Sequence, residues 1–413
     1  MKKQLNLKIK MRIRLNPWLH YLRLGPLAIA LLTLMGIAFV VAMIRYTSGI
    51  GAISDLSYSY PWGFWISFDL FTGVAIGSGA FVMAAVVHIF EFKQFQPLLK
   101  PSILTGLLGY MMVVIALLVD LGHPERIWYM MIHWNHTSVL LEIGICVMSY
   151  LTVLAIEFSP VFFEGIKWQK FADFIHKFIM PFVILGVVLS TLHQSSLGSL
   201  LLIQPEKLYP LWWTPILPVL FFISAISIGM AMIIFESSLS SRYFKRGLEI
   251  HLLEKLARAI PIVLVIYLVI RFTQLILAND LQYLFNSGLL SILFWAEIIT
   301  GSVIPLVLFS MKLIRQSPNG LLISAIILLF GMILDRFDVS WFAVRHPDPL
   351  TYVPNLMAFN AHYIPSLPEL SISIGIFSAG ILAFGLVAKY LPLFEKEHPH
   401  ERVASADISQ VHH

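Results

Sequence analysis

The chain has 413 residues, 58% of them hydrophobic and 12% charged, with a formal net charge of +5. Soluble domains carry about 25% charged residues, so the composition excludes a soluble enzyme and points to a protein of the lipid bilayer. The single cysteine, Cys146, excludes an intramolecular disulfide and a cysteine-ligated iron–sulfur cluster in this chain.

Ten windows of roughly 20 predominantly apolar residues are long enough to cross the hydrocarbon core as helices. They lie at about 25–45, 62–90, 101–120, 138–158, 174–193, 211–235, 258–277, 288–311, 320–338 and 370–391. The alternating ten-residue segments of a transmembrane barrel are absent. The expected fold is therefore all-α: a polytopic bundle of ten helices over 25–393, between a basic tail at 1–24 and a polar tail at 394–413. The first window follows basic residues as a signal peptide would, but it is too long and lacks a small-residue cleavage site. It reads as a retained anchor.

Lysines and arginines orient the bundle. The N-terminal tail holds Lys2, Lys3, Lys8, Lys10, Arg12, Arg14 and Arg23, and the even-numbered loops add groups such as Lys167, Lys170, Lys177, Arg242, Lys245 and Arg246. The odd-numbered loops hold only Arg45, Arg126, Lys207 and Arg345. The positive-inside rule places both termini in the cytoplasm. The net positive charge reflects this bias and is no argument for nucleic acid.

Ionisable groups inside spanning helices are costly and usually functional. In chain order, helix 2 carries Asp69, helix 3 ends at Asp120, helix 4 begins near Glu142 and helix 5 delivers His193. Helix 7 carries Arg271 and Gln274, helix 8 Glu297, and helix 9 ends in Asp335, Arg336 and Asp338. All fall in the outer half, whereas the inner half holds only His88, Glu157 and Glu236. Asp69, Gly73 and Gly77 recur at helical spacing with Ala80 and Ala84, a small-residue stripe that turns Asp69 toward protein. Tyr267, Arg271 and Gln274 share one face; Glu142, Cys146, Ser149 and Tyr150 share another. A structural ion pair of Arg271 with Glu297 or Asp69 would account for some of these charges. Six helices with polar groups at one depth suggest a site.

The two histidines within spans, His88 and His193, sit at opposite faces, so neither a haem nor an embedded metal centre is expected. His123, His133 and His136 fall in an outer loop and read as surface groups. The glycines of "GVAIGSGA" at 73–80 lie mid-helix, not in a dinucleotide fingerprint. A quinone fits the remaining chemistry, because its head group needs hydrogen-bond donors and two protons per reduction. His193 supplies a titratable donor, with Gln194 and Ser195 beside it. The competing explanation is a helix C-terminus whose polar residues satisfy its own carbonyls. The long loop at 339–369, with Trp341, Phe342, Tyr352, Phe359 and Tyr363 exposed, reads as a docking surface.

The segments "LSTLHQSSLGSLLL", "ISDLSYSYPWGFWISFDLFTGVAIGSGAF", "SVLLEIGICVMSYLTVLAIEFSP" and "DLGHPERIW" resemble the NrfD, or polysulfide reductase membrane-subunit, family, on the branch that serves nickel–iron hydrogenases. "IFESSL", "IRFTQLI", "FWAEI" and "YIPSLPELSISIG" follow in the same order, so the resemblance covers most of 48–392. It implies a cofactor-free subunit that exchanges electrons and protons between a membrane quinone, menaquinone or ubiquinone, and an outer-face, ferredoxin-like iron–sulfur subunit. Behind that subunit the resemblance implies a catalytic module such as a nickel–iron hydrogenase. It also suggests Asp120 and Glu142 as quinone-side or proton-path groups. Some members carry a histidine before the D-L-G signature, where this chain has "ALLVDLG", so His193 would serve instead. The expected site residues are Asp69, Asp120, Glu142, His193, Arg271 and Glu297, with Gln194 and Ser195 at the quinone. Membrane subunits of cytochrome c or sulfur-compound complexes share these helices; a proton-coupled transporter or a structural anchor are readings of another class.

Overall fold

The structure is a computed structural model that describes residues 25–57, 60, 62–203, 208–345 and 363–394. The N-terminal basic tail, Lys207, Tyr352, Phe359 and the polar tail beyond Phe394 lie outside the described residues. Ten helices among those described are long and apolar enough to span a membrane. They are α1 Pro26–Ser48, α2 Trp65–Ile89, α3 Lys93–Asp120, α4 Val139–Gly165, α5 Gln169–Leu202, α6 Leu217–Tyr243, α7 Ile250–Leu277, α8 Leu289–Ser310, α9 Pro318–Phe342 and α10 Leu367–Tyr390. No strand occurs among the described residues.

The contacts sort the helices into two four-helix groups and a peripheral pair. In the first group α2 packs on α3, α3 on α4, α4 on α5, and α5 closes back on α2. In the second, α6 packs on α7 and α9, and α8 packs on α7 and α9. Helix α2 joins the groups by packing on both α6 and α9, and α5 packs on α6 as well. Helices α1 and α10 pair with each other; α10 packs on α3, and α1 reaches α3 through Arg45 and Tyr46 near its end. The burial follows: 83% of the spanning window of α2 is inside the protein, against 11% of α1. Large apolar side chains such as Phe39, Ile262 and Phe330 are exposed around the perimeter, where hydrocarbon would surround them.

Small residues allow these close approaches. The stripe Gly73, Gly77, Ala80 and Ala84 is buried, and a Cβ on Gly106 of α3 would stand 2.5 Å from that of Ala80. In the second group, a Cβ on Gly331 of α9 would stand 2.0 Å from the backbone nitrogen of Gly301 on α8.

Three helices contain π-helical stretches: Trp65–Thr72 and Ala85–Ile89 in α2, Ile299–Val303 in α8, and Asp338–Phe342 ending α9. Such widened turns recur at functional sites. Asp69 lies inside the first, Glu297 two residues before the third, and Asp338 opens the fourth.

Two sequence expectations change here. Helix α5 does not stop at residue 193 but runs on to Leu202, so His193 lies about two and a half turns inside it. With its own helix intact around it, the polar run is not a C-terminal cap. At the other loop, Val339–Phe342 continue α9, and Tyr363 is buried, not exposed: it stacks on Tyr60 at 4.9 Å, while Trp341 and Phe342 are partly buried. The hydroxyl of Tyr60 donates to the Trp341 carbonyl at 2.7 Å. These aromatics pin the ends of the segment against the bundle, so Tyr363 is not the exposed ring that the sequence suggested.

Gly331→Ala is expected to destabilise the purified chain by about 1–3 kcal/mol, because backbone must give way to the new methyl. Gly36→Ala, with nothing within 4 Å of its added carbon, should leave the thermal unfolding midpoint in detergent unchanged. Equal midpoints for the two variants would contradict the α8–α9 contact.

Candidate functional site

Three places with buried polar groups bear on the expected site residues, while Glu236 with Thr105 lies toward the opposite end of the bundle. The first lies between α1, α2, α3 and α10. Arg45, counted above as a loop charge, is buried at the end of α1; its Nε donates to the Val119 carbonyl at 2.6 Å and its Nη2 to the Leu121 carbonyl. The guanidinium thus caps the C-terminus of α3, a favourable place for a cation. Asp69 Oδ2 accepts from Ser373 of α10 at 2.5 Å, while its Oδ1 has no hydrogen-bond partner. Asp120 lies within electrostatic reach of Asp69, Arg45 and Glu369. Glu369 Oε2 accepts from the Tyr363 hydroxyl at 2.6 Å and from the backbone of Ser366 at 3.1 Å. Unpartnered buried atoms here include Trp65 Nε1, Asp120 Oδ1 and Glu369 Oε1.

The second place is the interior of the first four-helix group. His193 is fully buried, and neither ring nitrogen has a hydrogen-bond partner. Its ring lies 5.6 Å from that of Tyr110 on α3, which meets Tyr150 of α4 edge-on at 4.8 Å. Ser190, a turn before His193, is close to both phenols. Gln194 donates to the Val74 carbonyl of α2 at 3.1 Å, which fixes this turn of α5 against the neighbouring helix. Further along, Glu157 and the Tyr150 ring both pack on Gly186, where a Cβ would stand 3.0 Å from Glu157 Oε1. Ser195 is only partly buried. Glu142 is exposed at the start of α4 and accepts from Ser196, which ties α4 to α5.

The third place is inside the second group. Arg271 Nη2 faces Glu297 Oε1 at 3.6 Å, and Trp212 Nε1 donates to Glu297 Oε2 at 2.9 Å. Arg336 bonds Asp335 at 2.6 Å and Ser224 of α6 at 2.6 Å, with its guanidinium 3.8 Å over the Phe221 ring. The hydroxyl of Tyr267 donates to Asp335 at 3.3 Å. A cavity of about 10 Å³, room for about one water, is lined by Trp212, Phe221, Tyr267, Arg271, Asp335 and Arg336 among others.

The six expected residues thus divide. Asp69 and Asp120 share one place, His193 occupies the second with Glu142 at its rim, and Arg271 and Glu297 pair in the third. Between α2 and the second group runs a layer of rings: Phe64 and Phe68 on Phe337, and Phe71 on Phe221. Sequence reasoning passed over Tyr110, Trp212, Ser373 and Glu369. Tyr110 lies in the uninterrupted apolar run of α3, and only its position one turn beyond Gly106 hints at an inward face.

The architecture is that of a multi-pass integral membrane protein of the bacterial cytoplasmic membrane with buried polar centres, and its relatives agree. The family described as "Polysulphide reductase, NrfD" matches residues 53–341. A protein of Nitratidesulfovibrio vulgaris is 37% identical over 385 residues, covering 91% of this chain and 95% of its own length. The probable Ni/Fe-hydrogenase 2 b-type cytochrome subunit of Escherichia coli K12 is 33% identical over 380 residues, covering 89% and 93%. The menaquinone reductase integral membrane subunit of N. vulgaris is 27% identical over 376 residues, covering 84% and 87%. The chain belongs to the NrfD family.

One of those names contains a b-type cytochrome, so the fit of a haem bears testing. Gln194 sets the depth of His193 near Val74, and His88 lies roughly 20 Å further along α2 at about 1.5 Å per residue. The two cannot ligate one iron. A reduced-minus-oxidised optical spectrum of the purified chain is expected to lack a b-type band; its presence would overturn the expectation.

Proposed function

We propose that this chain is the quinone-reactive membrane subunit of a respiratory oxidoreductase complex, with both termini cytoplasmic and the quinone head group held in the first four-helix group at the outer side. The observation that carries the reading is His193: a fully buried imidazole with both nitrogens unpartnered, ringed by the Tyr110 and Tyr150 phenols. Neutral imidazole offers one donor and one acceptor, which matches one quinone oxygen in either redox state. The unpartnered oxygens of Asp69 and Asp120, and the Tyr110 hydroxyl, add groups able to take or give a proton. The names of the relatives support the substrate class, menaquinone among them.

Electrons would arrive from, or leave to, a ferredoxin-like iron–sulfur subunit docked on the outer face, and through it a catalytic module such as a nickel–iron hydrogenase, the enzyme named in the E. coli relative. Reduction takes two electrons from that subunit and two protons from the protein. His193 can hold one proton at the head group. The line of Tyr110, Ser190, Tyr150 and Glu157 offers an inward route for its replacement. It departs from the shared face of Glu142, Cys146, Ser149 and Tyr150 on α4, because Ser149 is only partly buried and Glu142 lies at the surface. Glu142 then stands where protons, or the quinone itself, meet the mouth of the bundle.

Glu142→Gln keeps shape and hydrogen bonding and removes titration. In the assembled complex it is expected to slow quinone turnover while sparing assembly and the partner's activity with a soluble dye. Unchanged quinone turnover would remove Glu142 from the mechanism. Loss of dye activity as well would move its role to assembly.

A further inference from the structure

The charges of the second four-helix group do not balance. Two guanidinium groups, Arg271 and Arg336, face three carboxyls, Glu297, Asp335 and Asp338, all less than a tenth exposed. Asp335 is satisfied by Arg336 at 2.6 Å and Tyr267 at 3.3 Å, and Glu297 by Trp212 and the longer contact to Arg271. Asp338 is different. It is completely buried, and neither of its oxygens receives a hydrogen bond. Its carboxyl is within hydrogen-bonding range of Glu297, yet two ionised carboxylates can only accept. Two such groups in contact cannot both ionise without a donor between them, and a single proton supplies it.

We propose that Glu297 and Asp338 form a proton-storage site: one exchangeable proton shared by two carboxyl groups inside the second four-helix group, apart from the quinone. The shared proton brings the five groups to neutrality and gives Asp338 the donor it lacks. The groups facing the pair are Asp335 and Arg336 on α9 and Arg271 and Tyr267 on α7. Helices α6 and α2 bring Ser224, Phe221 and the rings packed on Phe337. Asp69 on α2 is held by Ser373 of α10. The water-sized cavity lined by Tyr267, Arg271, Asp335 and Arg336 adjoins the same network and gives the proton a means of exchange. The widened turns at Asp338 and just after Glu297 set the two carboxyls facing one another across α8 and α9.

Infrared spectra of the assembled complex in lipid nanodiscs, in H2O and D2O, test this without any quinone or electron donor, so the result stands whatever becomes of the quinone reading. The wild-type-minus-Asp338→Asn difference is expected to show the loss of one protonated-carboxyl C=O band that shifts in D2O, because the new amide supplies Glu297 with a donor and leaves it ionised. Should that variant fail to assemble, Glu297→Gln reads the same pair from the other side, with the same band expected to vanish. Loss of an ionised carboxylate band instead, or a C=O band that ignores D2O, would overturn the proposal.

Discussion

A charged group inside a membrane-spanning bundle must find a partner or give up its charge, and α2 is where that constraint weighs most. It is the most enclosed of the ten helices and touches both four-helix groups. Its glycine and alanine stripe lets α3 approach, while its π-helical opening holds Asp69 against Ser373. The carbonyl of Val74 on the same helix receives Gln194, which sets the height of His193. A change that shifts α2 therefore moves the Asp69 centre and the His193 centre together.

The two four-helix groups differ in the buried polarity they hold. The second holds most of its charges in pairs: Arg336 is shared between Asp335 and Ser224, and Glu297 between Trp212 and Arg271, while Asp338 receives no hydrogen bond. Ion pairs of this kind hold their position, because breaking one strands the other charge. The first group leaves the His193 imidazole with both nitrogens unpartnered, beside the Tyr110 and Tyr150 phenols and the Ser190 hydroxyl. Buried groups without partners await something that the chain does not itself supply. That contrast separates an unpartnered imidazole among neutral hydroxyls from a cluster of charges that meet one another.

Much of this was legible in the sequence. Apolar windows found all ten spans, and helical spacing turned Asp69, Gly73 and Gly77 toward protein and put Tyr267, Arg271 and Gln274 on one buried face. The pairing of Arg271 with Glu297 was one of the two pairings weighed. What spacing could not show was partition, since depth along a helix says nothing of which neighbours surround it. The six acidic and basic residues at one level therefore read as one site and resolve into three. The end of α5 was misjudged because polar residues in a spanning helix look like an interface. His193, Gln194 and Ser196 tolerate the interior only because α2, α3 and α4 enclose them. Tyr110 and Trp212 gave no signal, since an aromatic in an apolar run shows its hydroxyl or indole nitrogen only when tertiary contacts aim it.

The most direct test of the account is to photolabel the assembled complex with an azido-quinone and map the adducts by mass spectrometry. Labels on the α5 peptide around His193–Ser196 and on the α2 peptide around Asp69–Val74 are expected, with competition by unlabelled quinone. Competed labelling confined to α7, α8 and α9, or to a partner subunit, would contradict a quinone site in the first four-helix group.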